Sequence, residues 1–178
     1  TIDGRPYGGS DGMILRIEPL VAAIENIQRH QNSPLQIMLP TPEGQIWSQQ
    51  QAEKLSQSNH DLIWICPRFG GYDIRLHQIF EIERYSIGSY IVSSGDLPAL
   101  MMTDSIVRLI PGVVGNSLSP LQDSLSGAYD FGYEEPQYTR PTSFRGFSVP
   151  IVLTSGDHGE IAKWRHSQRD PPRKAPSK

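Results

Sequence analysis

Apolar residues recur at helical spacing at Leu20, Val21, Ile24 and Ile27, which predicts an amphipathic helix opening at Glu18 and Pro19 and stopping before Asn32, Ser33 and Pro34. The pattern then changes period. Residues 35–39 form a short apolar run and read as a buried strand, residues 40–44 (Pro-Thr-Pro-Glu-Gly) as a loop, and Ser48 as the cap of a helix through Leu55. A second buried strand covers residues 61–66, followed by a Pro- and Gly-bearing loop at 67–71. Helical residues from Tyr72 lead into a strand over 82–91, and the opening segment supplies a further strand. Strands alternating with helices make an α/β fold with a parallel sheet and helices on both faces. In such sheets ligands sit beyond the carboxyl ends of the strands, where residues 40–44, 67–71 and 93–95 fall.

The densest stretch is 86–116. Gly88 and Gly95 flank the β-prone Tyr90, Ile91 and Val92, Asp96 is a good N-cap, and residues 97–110 are apolar nearly all round except Thr103, Asp104, Ser105 and Arg108. Such a helix belongs in a core or an interface. On these residues alone two readings stand: turn glycines with an ordinary Asp104–Arg108 pair at i, i+4, or a glycine loop through which a small molecule approaches the backbone. From 111 to 150 the chain is loop-rich, with Asp123, Asp130, Glu134 and Glu135 among Ser, Gly and Pro. Residues 149–153 read as a last short strand, Ser155 or Asp157 as the cap of a helix through Trp164, and 169–178 as a Pro- and Lys-rich tail.

Composition narrows the class. The 178 residues are 37% hydrophobic and 20% charged with net charge −3, which describes a soluble globular domain with a sizeable core. A single cysteine, Cys66, excludes an intrachain disulfide and fits a reducing cytoplasm. The five histidines lack metal-ligand spacing, so no metal is expected, and there is no phosphate-binding loop or dinucleotide fingerprint. Residues 163–178 carry six Lys or Arg against one Asp, a local charge that suits phosphate despite the acidic total. The opening on Thr1 and a turn-rich segment leads us to expect a trimmed piece of a longer protein.

Taken together, the motifs Arg5-Pro6-Tyr7-Gly8-Gly9, Ser86-Ile87-Gly88, Gly95-Asp96-Leu97-Pro98-Ala99-Leu100, Arg108-Leu109-Ile110-Pro111-Gly112, Asp123-Ser124, Pro136-Gln137-Tyr138-Thr139-Arg140-Pro141 and Ser155-Gly156-Asp157-His158 occur in one order. In that order, over residues 3–168, the chain resembles the bacterial tRNA (guanine-37 N1)-methyltransferases of the SPOUT superfamily. The resemblance implies an S-adenosylmethionine-dependent methyl transfer to N1 of guanine-37 in tRNA, a C-terminal trefoil knot around residues 86–98, and a homodimer with shared active sites. It also implies one methyltransferase domain over 1–168, followed by the basic tail at 169–178, with the family's first strand and its helical tRNA-binding domain absent.

By the same resemblance the cofactor contacts fall on Leu39, Pro40, Thr41, Gly44, Pro67, Phe69, Gly70, Ser86, Ile87, Gly88, Tyr90, Ile91, Val92, Ser94, Gly95, Pro98 and Glu134. The catalytic roles fall on Asp123 as base and Arg108 as the cation facing O6. Asp130 competes with Glu134 as the second acidic residue. The chain departs from the family pattern at Pro67, Gly70, Ser89 and Ser94. The chemistry agrees with such a pair, because N1 of guanine must lose a weakly acidic proton while charge moves toward O6. Two other readings remain at this point: an inactive RNA-binding or dimerisation remnant, and a knotted methyltransferase acting on another base.

Overall fold

The structure is a computed structural model and describes residues 1–9, 11–115, 119–127 and 130–171. Asn116 and residues 172–178 of the basic tail lie outside the described residues. The chain forms two compact units, Thr1–Ile110 and Pro111–Lys178, each treated by itself.

The first unit opens with a two-residue antiparallel pair, β1 (Asp3–Gly4) and β2 (Ile14–Leu15), then runs through α1 (Ile17–His30), β3 (Leu35–Ile46), α2 (Gln49–Ser56), β4 (Asp61–Trp64), α3 (Leu76–Ile79), β5 (Ile82–Ser86) and α4 (Asp96–Val107). Strands β4, β3 and β5 form a parallel sheet in that order, with Leu35 opposite Asp61 and Ile37 opposite Ile82. The pleat of β3 sends alternate side chains to opposite faces. Ile37 and Leu39 join Ile24 of α1 and Leu76 of α3 in one apolar cluster, while Met38 joins Ala52 and Leu55 of α2 and Met102 and Ile106 of α4 in the other. Met38 and Leu39 are fully buried, so the centre of the sheet is apolar on both sides.

Four elements differ from the sequence expectation. Residues 40–44 do not leave the sheet: β3 continues to Ile46, but its register with β5 jumps from Pro40 opposite Tyr85 to Gln45 opposite Tyr85, so residues 41–44 form an unpaired excursion within the strand. Strand β5 stops at Ser86 rather than Ile91, and Tyr90, Ile91 and Val92 sit in an exposed loop, because no neighbouring strand is there to satisfy their backbone. Asp96 is the first residue of α4, with Gly95 as its cap. Finally, residues 151–154 form a 3₁₀ turn instead of a strand, following Pro150, which has no N–H for a sheet.

The second unit holds a short helix, α5 (Ser119–Gln122), a hairpin of β6 (Ser143–Phe144) and β7 (Phe147–Ser148), the 3₁₀ turn, and α6 (His158–Ser167). The hairpin turns through Arg145 and Gly146, both at positive φ (50° and 85°), the two-residue geometry that matches strand twist. Asp157, not Ser155, caps α6 by accepting from the N–H of Gly159 (2.9 Å) and Glu160 (3.1 Å). Among the described residues no helix is long and apolar enough to cross a membrane.

One pH effect follows from the first unit. His77 Nε2 lies 2.8 Å from the Tyr72 hydroxyl, and burial together with the Arg84 guanidinium holds the His77 pKa below its ordinary 6.5. The folded state therefore favours the neutral imidazole. Stability carried by this site is present above pH 6.5 and is lost as pH falls through the lowered pKa. A proton NMR titration should place the His77 inflection below 6.5; an inflection at or above 6.5 contradicts this.

Candidate active site

Three loops converge beyond the carboxyl ends of the parallel strands: the 41–44 excursion of β3, residues 65–71 after β4, and residues 87–95 after β5. One main-chain bond joins the second loop to the third, and two others anchor the second loop to the segment before β2 and the end of β3 to the end of β5. The Gly95 N–H donates to Pro67 O at 2.8 Å, the Gly70 N–H to Met13 O at 2.8 Å, and the Trp47 N–H to Ser86 O at 2.8 Å. Between them lies a cleft of about 440 Å³, within the range of small-molecule sites.

Of the residues that the resemblance names for the cofactor, Pro40, Thr41, Pro67, Phe69, Gly70, Ser86, Ile87, Gly88, Tyr90, Ile91, Val92, Ser94, Gly95 and Pro98 line this cleft. Leu39 does not. It is fully buried in the cluster with Ile24, Ile65 and Leu76. Gly44 stands behind the wall: a β-carbon there would meet the main chain of Arg84 and Tyr85 at 2.5–2.6 Å. Only glycine lets the excursion lie this close to β5. Gly95 is similarly constrained, since its β-carbon would lie 2.8 Å from Pro67 Cδ. Pro67 thus packs on Gly95, and Phe69, held at φ 58°, is 64% exposed.

Sequence reasoning missed Tyr72 and Tyr85, and did not single out Glu43 and Arg68 within the loops it named; all four also line the cleft. Arg68 Nη2 lies 3.2 Å from Asp96 Oδ2, an ion pair too poorly aligned for a hydrogen bond. The Ser94 hydroxyl and the Arg68 guanidinium hold the Asp96 carboxyl below the ordinary carboxylate range, so it is ionised at neutral pH. An Arg two residues past the strand expected over 61–66 and an Asp at a helix start were visible in the sequence, but their pairing is a long-range fact. Cys66, beside the cleft, has its thiol pKa pushed up chiefly by burial and then by Asp96, which makes it a poor nucleophile.

The other candidates are not among the residues that line the cleft, and each is described in its own unit. Arg108 is the half-buried C-cap of α4, its N–H donating to Asp104 O at 3.1 Å. Asp123 is half-buried in the turn after α5, where its carbonyl accepts from the Ser126 N–H at 3.2 Å. Glu134 is exposed, and its N–H donates to Ser124 Oγ at 3.0 Å. Asp130 sits at φ 50° in an exposed turn.

Comparison with known proteins supplies the family. The profile described as tRNA (Guanine-1)-methyltransferase TrmD matches residues 1–175. The tRNA (guanine-N(1)-)-methyltransferase of Bacillus licheniformis is 41% identical over 168 residues, covering 94% of this chain and 68% of that protein. Its counterparts from Geobacillus kaustophilus and Staphylococcus epidermidis are 44% and 43% identical, each over 94% of this chain and over 67% and 66% of their own lengths. With a family match across nearly the whole chain and relatives above 40% identity, the chain belongs to the tRNA (Guanine-1)-methyltransferase TrmD family.

Proposed function

We propose that the protein transfers a methyl group from S-adenosylmethionine to N1 of guanine-37 in tRNA. The observation that carries this reading is the cleft at the carboxyl ends of the sheet, lined by 14 of the 17 residues assigned to the cofactor, in a chain of this family. The residues present suit S-adenosylmethionine. Gly44 and Gly95 leave no room for a β-carbon against the neighbouring chain, and the cleft between the loops combines apolar and aromatic side chains such as Phe69, Tyr90 and Ile91 with polar ones such as Thr41 and Ser94. When bound there, the cofactor supplies an electrophilic methyl group. The loops after β3, β4 and β5 would hold it, in the knotted path that the family resemblance implies for residues 86–98.

The chain's own residues then have three tasks. Asp123 accepts the N1 proton, Arg108 faces O6 and balances the charge that develops there, and Glu134 belongs to the cofactor-binding set. Residues 1–168 act as one methyltransferase domain, with tRNA as the partner. We further assign a homodimer, supported by α4: Leu97, Leu100 and Met101 on it are 62%, 64% and 57% exposed, an apolar face for a second copy. The site of action is the cytoplasm, where tRNA is modified.

The test is methyl transfer to tRNA transcripts with mapping of the modified nucleotide. Methylation at N1 of guanine-37 is expected. Arg108→Ala should lower kcat by about 100-fold, the usual loss for one group stabilising a developing oxyanion, with a smaller change in KM. Methylation at another base, or an Arg108→Ala variant with unchanged kcat, overturns the respective assignment.

A further inference from the structure

Glu135 is a charged residue in a buried place. Its side chain is 7% exposed, yet it carries two guanidinium partners: Arg165 Nε at 3.4 Å from Oε1 and Arg169 Nε at 3.5 Å from Oε2. A carboxylate is costly to bury, and pairing offsets the cost only when several donors surround it. An apolar side chain would fill this volume with less penalty, so the charge calls for an explanation beyond packing.

The backbone around it supplies one. Tyr133 forms an antiparallel bridge with Asp170, and the groups of residues 132–135 bond in two directions. On one side Gly132 O accepts from the Leu125 N–H (2.6 Å) and the Glu134 N–H donates to Ser124 Oγ (3.0 Å). On the other, the Tyr133 N–H donates to Asp170 O (2.9 Å), and Glu135 meets the two arginines. The segment is thus a rail between the 123–126 turn and the end of α6. Asp123 sits at one edge of that rail, with Ser124 as its fastening, and Glu135 anchors the other edge.

We infer that Glu135 is a positioning residue of the methyl transfer: with Arg165 and Arg169 it fixes the rail against α6, and through the Glu134–Ser124 bond it fixes the turn that presents the Asp123 carboxylate. This inference rests on the assignment of Asp123 as the base. Arg165 lies in the last turn of α6 and Arg169 two residues past its end, and both reach the one carboxylate. The electrostatic strap spans what the backbone bonds alone would leave hinged.

The experiment uses the complete protein with tRNA, and reads the single-turnover rate, the S-adenosylmethionine dissociation constant and the melting temperature. Glu135→Gln removes the charge and keeps the shape. It should slow methyl transfer about tenfold at a temperature well below its melting point, and Glu135→Asp should recover part of the rate. In an Arg165→Ala/Arg169→Ala background, Glu135→Gln should cost no further rate, because its partners are already gone. A Glu135→Gln variant that melts earlier but transfers methyl at the wild-type rate assigns Glu135 a purely structural role and overturns the inference. So does an undiminished further loss in the double-arginine background. If the wild type transfers no methyl group, or Asp123→Asn leaves the rate unchanged, it is the underlying assignment of the base that fails. If Glu135→Gln does not fold, Glu135→Asp and the two exposed arginine variants carry the same comparison.

Discussion

Replacing Asp123 by Asn should lower the methyl-transfer rate by about 10²- to 10⁴-fold, the span that positioned general bases contribute. The substitution separates the carboxylate's chemistry from its structural place. The turn is closed by the main chain, with Asp123 O accepting from the Ser126 N–H at 3.2 Å. Asparagine suits turns as well as aspartate does, so the fold and the melting temperature should hold. What is lost is a group able to accept the N1 proton of guanine as that nitrogen takes the methyl group. Binding of S-adenosylmethionine should change by less than about threefold, since the cleft is built from the other compact unit. A rate within threefold of wild type, measured under single turnover, removes Asp123 from the mechanism.

What the sequence could disclose about this fold was the local part. The 3.6 period of Leu20, Val21, Ile24 and Ile27 marks α1, and the run at 35–39 marks the buried half of β3, because each pattern is written within one element. Asp157 was one of two candidate caps for α6, and only the N–H directions separate it from Ser155, whose hydroxyl accepts from Asp157 itself. Non-local facts were hidden. Pro40, Pro42 and Gly44 look like a chain break, yet β5 takes up the pairing again at Gln45, and nothing near residue 45 announces Tyr85 as partner. Tyr90, Ile91 and Val92 have strand propensity, but propensity needs a neighbouring strand to act. The hairpin at 143–148 was within reach, since Arg-Gly between two Phe-Ser pairs is a turn signal that the surrounding loop composition obscured.

The candidate site divides along the same line. Motif order identified the loops that form the cleft, because each loop carries its own glycine or proline signature. It could not distinguish a residue that lines the cleft from one that supports it. Leu39 and Gly44 belong to the same β3 segment as Pro40 and Thr41, but the pleat turns Leu39 into the core and the register jump presses Gly44 onto Tyr85. The Arg68–Asp96 pair that ties the β4 loop to α4 escaped notice for the same reason: its two halves are 28 positions apart.

That close approach yields the largest stability effect expected in the first unit. Gly44→Ala should destabilise the protein by about 3 kcal/mol, at the upper end of ordinary overpacking, and lower the melting temperature by about 6–12 °C for a chain of this size. The reason is where the new methyl group lands. Its carbon would lie 2.5 Å from Tyr85 N and 2.6 Å from Arg84 C and Tyr85 C, all main-chain atoms of a paired strand that cannot rotate away. Gly44 is not in the left-handed region, so the penalty is close approach and not backbone strain. Relief requires residues 41–44 to lift from β5. Because Thr41, Pro42 and Glu43 wall the cleft, lifting them should also weaken S-adenosylmethionine binding by about tenfold, or about 1.4 kcal/mol. Gly115→Ala serves as the control, since among the described residues no heavy atom lies within 4 Å of its β-carbon position and its φ is unstrained; its melting temperature and affinity should match wild type. Calorimetric melting and titration of the two variants decide the matter: a Gly44→Ala protein as stable as Gly115→Ala would mean that the 41–44 excursion is free to move, and that it does not set the shape of the cleft.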